Sequence, residues 1–138
     1  MSVIKAYFLA RKVHKGQKDK SGKAYINHPL TVCKKVKGKV EKQVALLHDV
    51  IEDTFVTAEY LKEKGFSDAV VVAVTLLTKV EGEDYFEYLK RIKENPVARA
   101  VKIADLEHNS DLTRLKVVTD KDLARVEKYK KALEFLKS

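Results

Sequence analysis

The stretch LLHDVIEDT, residues 46–54, sets His48, Asp49, Glu52 and Asp53 among leucine, valine and isoleucine. Charged groups beside an apolar core are costly unless something pairs with them. At helical spacing His48 and Glu52 are i, i+4, as are Asp49 and Asp53, while Asp49 and Glu52 are i, i+3. All four would then share one broad face of a single helix. Neutral imidazole with carboxylate is a donor mixture that suits Mn²⁺, Zn²⁺ or Fe²⁺. A solvated acidic face would carry the same residues, and this stretch alone leaves both readings open. A second cluster lies in VKIADLEHNSDLTRL, residues 101–115. There Asp105 and Asn109 are i, i+4, Lys102 lies one turn earlier, and Ile103, Ala104 and Leu106 surround the carboxylate. An ordinary salt bridge accounts for Asp105 as well as a ligand role does. His28, in AYINHP, stands just before an expected helix start, a place where caps and surface histidines are common.

Helices have to position these groups. Val3, Tyr7, Ala10 and Val13 fall near one face of residues 2–15, and Gly16 follows as a stop. KGQKDKSGKAYINHP is a polar loop ending at Pro29, a good first-turn residue. Residues 29–37 read as a short helix closed by Gly38, and residues 41–52 as the next, with Val44, Leu47, Val50 and Ile51 apolar. Thr57 caps a short helix ending at Gly65. Ser67 and Asp68 start another that runs to about Thr78. Its VVVAV core has strand propensity, but its length and cap favour helix. Residues 83–94 continue the helical pattern, Asn95 and Pro96 open a further helix, and Thr119 or Asp120 caps the last. The fold class is all-α, a compact bundle.

Composition sets the outer limits. The 138 residues fit one domain, 1–138, and can bury a core without disulfides. The longest apolar run, around Val70–Leu77, is far too short to span a bilayer, and the first residues lack a signal-peptide core. The one cysteine, Cys33, suits a reducing cytoplasm and reads as a small core residue. The formal net charge of +8 implies an anionic partner or plain solubility. Its local cluster, Lys12, Lys15, Lys18, Lys20 and Lys23, suits a phosphorylated small molecule better than a duplex. No zinc-finger spacing and no RNA-binding aromatic motif is present, so nucleic acid is not the expected partner.

Taken together, the three clusters resemble the HD-domain phosphohydrolases: a His closing a loop, a His-Asp pair on a helix and a distant Asp on a later helix. HDVIED resembles the HDxxED motif of the (p)ppGpp hydrolase domain of the RelA/SpoT family and its small stand-alone members. HKGQKDKSGKAYINHP resembles that family's H-x-G-Q-x-R-K-S-G-x-P-Y-I-x-H-P loop, and VKIADLEHNSDL its K-x-A-D-x-x-H-N segment. The match covers roughly residues 6–115.

The resemblance implies a helical HD-domain bundle in which His28, His48, Asp49 and Asp105 bind one divalent cation, Mn²⁺ in the family. Glu52 and Asp53 would orient or deprotonate the attacking water. Asn109 would contact the ribose, Lys20 and Ser21 would lie near the guanine base, and Lys102 and Arg11 would contact phosphate or support the residues around it. His14 falls on a recurring position that a packed histidine explains equally well. The implied reaction is Mn-dependent removal of the 3′-diphosphate of guanosine tetra- and pentaphosphate, giving GDP or GTP and pyrophosphate. No P-loop is present for nucleotide synthesis. The loop departs from the family at two places: an acid, Asp19, stands where a basic residue is usual, and GKAY replaces GEPY. Both touch substrate recognition rather than the implied ligands. An HD phosphohydrolase acting on a 5′-mononucleotide, a cyclic nucleotide or the ribose phosphate of NADPH is the alternative.

Overall fold

The structure, a computed structural model, describes residues 2–138. The chain runs through α1 (Val3–Val13), α2 (Asn27–Lys35), α3 (Lys39–Leu47), α4 (Val50–Asp53), α5 (Ala58–Glu63), α6 (Asp68–Leu77), α7 (Tyr85–Lys93), α8 (Pro96–Asn109), a 3-10 turn (Leu112–Arg114) and α9 (Asp120–Lys137). Among the described residues, the β pairing is a single bridge between Lys18 and Ala24. No helix among them is long and apolar enough to cross a membrane.

Local chemistry accounts for most helix starts. Ser2, Thr57, Ser67, Asp84 and Asn95 each accept a backbone N–H from the first turn of the helix they precede, which satisfies a donor the helix cannot. Thr119 and Asp122 close a full capping box on α9. The VVVAV segment is helical. Ser67 caps it, and α6 buries Val70, Val71, Ala73, Val74 and Leu77 against α3, α5, α7 and α8. Packing on so many sides overrides the β propensity of valine.

The centre of the molecule is α3 crossed with α8. The first packs on α1, α2, α6 and α8, and the second also meets α7 and α9. Leu46, Leu47, Leu61, Ile92, Leu106 and Leu136 are essentially solvent-free in the core they share. This crossing sets the end of α3 beside the middle of α8, although the two are far apart in the chain.

Two sequence expectations need correction. The helix expected over 41–52 is broken. α3 ends at Leu47, Asp49 leaves helical geometry at φ −106° and ψ 0°, and α4 is a single turn. The His48 ring explains the break: its Nδ1 lies 2.6 Å from the Ala45 carbonyl, the acceptor that the Asp49 N–H would use in a continuing helix. His48, Asp49, Glu52 and Asp53 therefore flank a joint rather than one helix face. The helix expected to begin at Pro29 instead begins at Asn27, so His28 sits in its first turn and is buried. Gly38, expected to close that helix, precedes α3 as its N-cap.

Candidate metal centre

The break delivers His48. Because a carbonyl can only accept, the 2.6 Å contact to Ala45 O fixes a proton on Nδ1. Nε2 is turned into the protein, 3.0 Å from Asp49 Oδ2 and 3.4 Å from Asp105 Oδ1, and is buried with no hydrogen-bond partner. An orphaned ring nitrogen facing two carboxylates marks a place for a positive charge. A backbone carbonyl holding the opposite ring nitrogen is the usual support of a metal-ligating histidine. Burial opposes a charged His48, but Asp49 and Asp105 outweigh it and hold its pKa well above the ordinary value. A cation there would take the place of that proton.

His28 reaches the same point from α2. Its Nε2 lies 2.8 Å from Asp105 Oδ1, and its Nδ1 lies 2.7 Å from His108 Nδ1. Partial burial and the nearby Arg114 and His28 push the pKa of His108 down to about 4, so His108 is neutral. A neutral imidazole can donate or accept at Nδ1, so it supports either tautomer of His28, including the one whose Nε2 lone pair is free to bind a cation.

Asp105 is held from several sides. Lys102 Nζ reaches Oδ2 at 3.1 Å, and Asn109 Nδ2 donates to Oδ1 at 3.0 Å. Burial would raise its pKa, but Lys102, His28 and His48 drive it well below the carboxylate range. Asp49 behaves alike. Burial works against its charge, yet His48 and the Tyr25 hydroxyl, which donates to Oδ2, lower it to about 2. His28, His48 and Asp49 can bring ligand atoms within 4.8 Å of one another, and so can Asp49, Glu52 and Asp53. Imidazole and carboxylate around one orphaned nitrogen fit a divalent cation.

Glu52 and Asp53 lie at the rim. Glu52 Oε1 accepts the Lys79 N–H at 2.9 Å, which ties α4 to the segment after α6. Asp53 is crowded. Partial burial, then Asp49 and Glu52, raise its pKa to about 6, which places a proton acceptor near neutral pH.

These groups border a cavity of about 480 Å³ lined by His28, Asp49, Glu52, Asp53 and Asp105 and also by Lys18, Lys20, Arg114 and Arg125. Lys102 and Asn109 also line it, but each is partly engaged by Asp105. Lys20 faces the cavity, whereas Ser21 does not line it; its hydroxyl donates to Asp19 Oδ1 at 2.6 Å. Arg11 lines a different cleft beside α1. His14 is a core residue whose Nδ1 meets Gln17 Oε1 at 2.9 Å.

Sequence reasoning did not single out Tyr25, His108, Arg114, Arg125 and Tyr129. Tyr25 precedes His28 by three residues and His108 follows Asp105 by three, so helical spacing could have nominated both. Nothing local marks the other three.

No family model matches the chain. A guanosine-3′,5′-bis(diphosphate) 3′-pyrophosphohydrolase of Aquifex aeolicus is 34% identical over 115 residues, 75% of this chain and 16% of the relative. A GTP pyrophosphokinase of Myxococcus xanthus is 34% identical over 125 residues, 78% of this chain and 16% of the relative. The bifunctional (p)ppGpp synthase/hydrolase SpoT of Escherichia coli is 32% identical over 119 residues, 75% and 17%. The chain thus spans about a sixth of the length of these curated relatives. Among solved structures, a metazoan ortholog of SpoT, described as hydrolysing ppGpp, superposes with a TM-score of 0.79 at 23% identity, covering 97% of this chain and 84% of that one. Sequence and fold together place the chain among the HD-type domains of the SpoT-related proteins.

Proposed function

We propose that this domain hydrolyses the 3′-diphosphate of guanosine tetra- and pentaphosphate, releasing pyrophosphate and GDP or GTP, with one divalent cation, Mn²⁺ by resemblance. The observation that carries the reading is the buried Nε2 of His48, which has no hydrogen-bond partner and faces the carboxylates of Asp49 and Asp105, beside a cavity that His28, Asp49 and Asp105 line together with Lys18, Lys20, Arg114 and Arg125. Relatives named as hydrolases of this nucleotide support the choice of substrate. The 138 residues act as one domain, and the paired-free Cys33 and the absence of a spanning helix among the described residues suit a cytoplasmic site of action.

His28, His48, Asp49 and Asp105 would hold the cation. When bound, it lowers the pKa of water and offsets charge on phosphoryl oxygens. Asp53, beside Asp49 and Glu52, accepts the proton of the attacking water at a carboxylate oxygen. Glu52 has one oxygen fixed by Lys79 N–H and leaves the other to orient that water. Lys18 and Lys20 draw the phosphates into the cavity as point charges, and Arg125 offers them a planar donor fork. Lys102 keeps Asp105 ionised and so maintains the ligand.

The test is incubation of the purified protein with Mn²⁺ and guanosine 5′-diphosphate 3′-diphosphate, with products resolved by anion exchange. Release of GDP and pyrophosphate that EDTA abolishes is expected. A chain that leaves this substrate intact but cleaves a 5′-mononucleotide, a cyclic nucleotide or the ribose phosphate of NADPH would replace the reading with the alternative.

A further inference from the structure

Asp19 is an acid on the loop that borders the cavity, and both its oxygens are engaged within the protein. Its Oδ1 accepts the Ser21 N–H at 2.9 Å, the Ser21 hydroxyl at 2.6 Å and the Lys23 N–H at 3.0 Å, which folds the turn closed around Gly22 at φ +83°. Its Oδ2 faces Arg114 Nη2 at 3.4 Å, 95 residues away in the chain. The Asp19 side chain is 8% exposed and that of Arg114 23%. Arg114 is held a second time, by Nη1 donating to the His108 carbonyl at 3.0 Å. A guanidinium has five N–H donors in one plane. Two are engaged here, which leaves three, and Arg114 lines the cavity. Beside it lies Leu115, a half-buried apolar side chain on an otherwise polar wall.

A planar donor fork matches a phosphate as well as the edge of a ring, but the half-buried Leu115 beside it gives this part of the cavity an apolar surface that suits a flat ring. The two anchors also lock the fork's orientation, which a point charge would not need. Guanine presents two acceptors, O6 and N7, on one edge, and a guanidinium can donate to both; adenine replaces O6 with an amino donor, which repels the fork. Resting on the nucleotide-hydrolase reading above, we propose that Arg114 reads the purine base of the substrate at its O6 and N7 edge, with Leu115 beneath the ring, and that Asp19 is the residue that positions Arg114. The acid in the loop thus exchanges a cation on its own segment for one supplied by the turn after α8.

Product nucleotides test this without turnover. Binding of GDP, IDP and ADP, measured by calorimetry with Mn²⁺ present, compares two bases that carry O6 and N7 with one that lacks O6. The wild-type protein is expected to bind GDP and IDP about ten-fold more tightly than ADP. Arg114→Ala should bring the three affinities together, chiefly by weakening GDP and IDP. Arg114→Lys keeps the charge and the stem, protects against a folding artefact, and should also lose the preference. Asp19→Asn should lose part of it. The proposal is overturned if wild type shows no preference, if both Arg114 variants retain one, or if they weaken all three diphosphates equally, which would make Arg114 a phosphate contact. Intact guanosine 5′-diphosphate 3′-diphosphate in the turnover assay would sink the hydrolase reading alone; the GDP, IDP and ADP comparison would still decide Arg114.

Discussion

One carboxyl group gathers most of the site. Asp105 Oδ1 meets His28, Asn109 and His48, and Oδ2 meets Lys102. Removing it takes away a proposed ligand and strands the largely covered Lys102 ammonium. Asp105→Ala should therefore abolish Mn²⁺ binding by calorimetry and turnover together. It should also cost about 3–5 kcal/mol in urea unfolding, the penalty for breaking a buried pair from one side. Glu52→Gln separates roles: cation binding should persist while most turnover disappears, and full activity would reassign the water-orienting group. Asp53 offers a pH observable. Its carboxyl carbon, followed by NMR in protein freed of metal, should titrate near pH 6 rather than in the ordinary range. The sign follows from its cause. Burial and two neighbouring acids disfavour its charge, so a proton is retained to higher pH, and stability from this group falls as pH rises from its unfolded value towards 6. Adding Mn²⁺ should move the midpoint down, because a nearby cation favours the carboxylate.

At the scale of elements, the site depends on how helices end. α3 stops because His48 takes the Ala45 carbonyl, and α4 is steadied by Lys79 N–H on Glu52. That segment is held in turn by Arg91, which donates to the carbonyls of Leu76 and Thr78 and forms a two-pronged pair with Glu83. Arg91→Met should cost about 1.5–3 kcal/mol by denaturant unfolding, the range for charge-assisted hydrogen bonds. It should also lower kcat without touching the cavity, because Glu52 would lose its fixed partner. An unchanged kcat at reduced stability would show that the tether from Lys79 is dispensable. The helices themselves were legible in sequence where caps and periodicity are local, as at Thr57, Ser67, Asn95 and Thr119. The joint at Asp49 was not legible, since apolar spacing runs unbroken from Val44 to Ile51 and only a side chain competing for a backbone acceptor interrupts it.

For the whole molecule, the proposed cation would link residues from α2, the α3–α4 joint and α8. Anything that binds the folded chain and not the unfolded one stabilises it by mass action. Mn²⁺ at 100 times its dissociation constant should add about 2.7 kcal/mol to the unfolding free energy. EDTA should remove that gain, and Asp105→Ala should show none of it. A gain equal in the variant would place the binding elsewhere. Core loss acts separately. Leu47→Ala, at the solvent-free end of α3, should cost about 2–5 kcal/mol, with or without the cation.

Sequence by itself determined the residue types that can hold a cation, the caps that start most helices and the all-helical class, because each depends on neighbours within a turn or two. Tertiary structure alone decided which groups meet. His28 reaches Asp105 across 77 residues, His28 meets His108 across 80, and Asp19 finds Arg114 across 95. Spacing along the chain carries no information about such pairs. The two His28 pairs are set by α2 packing on α8, and the charged ones also by the burial that makes an unpartnered charge too costly to leave alone.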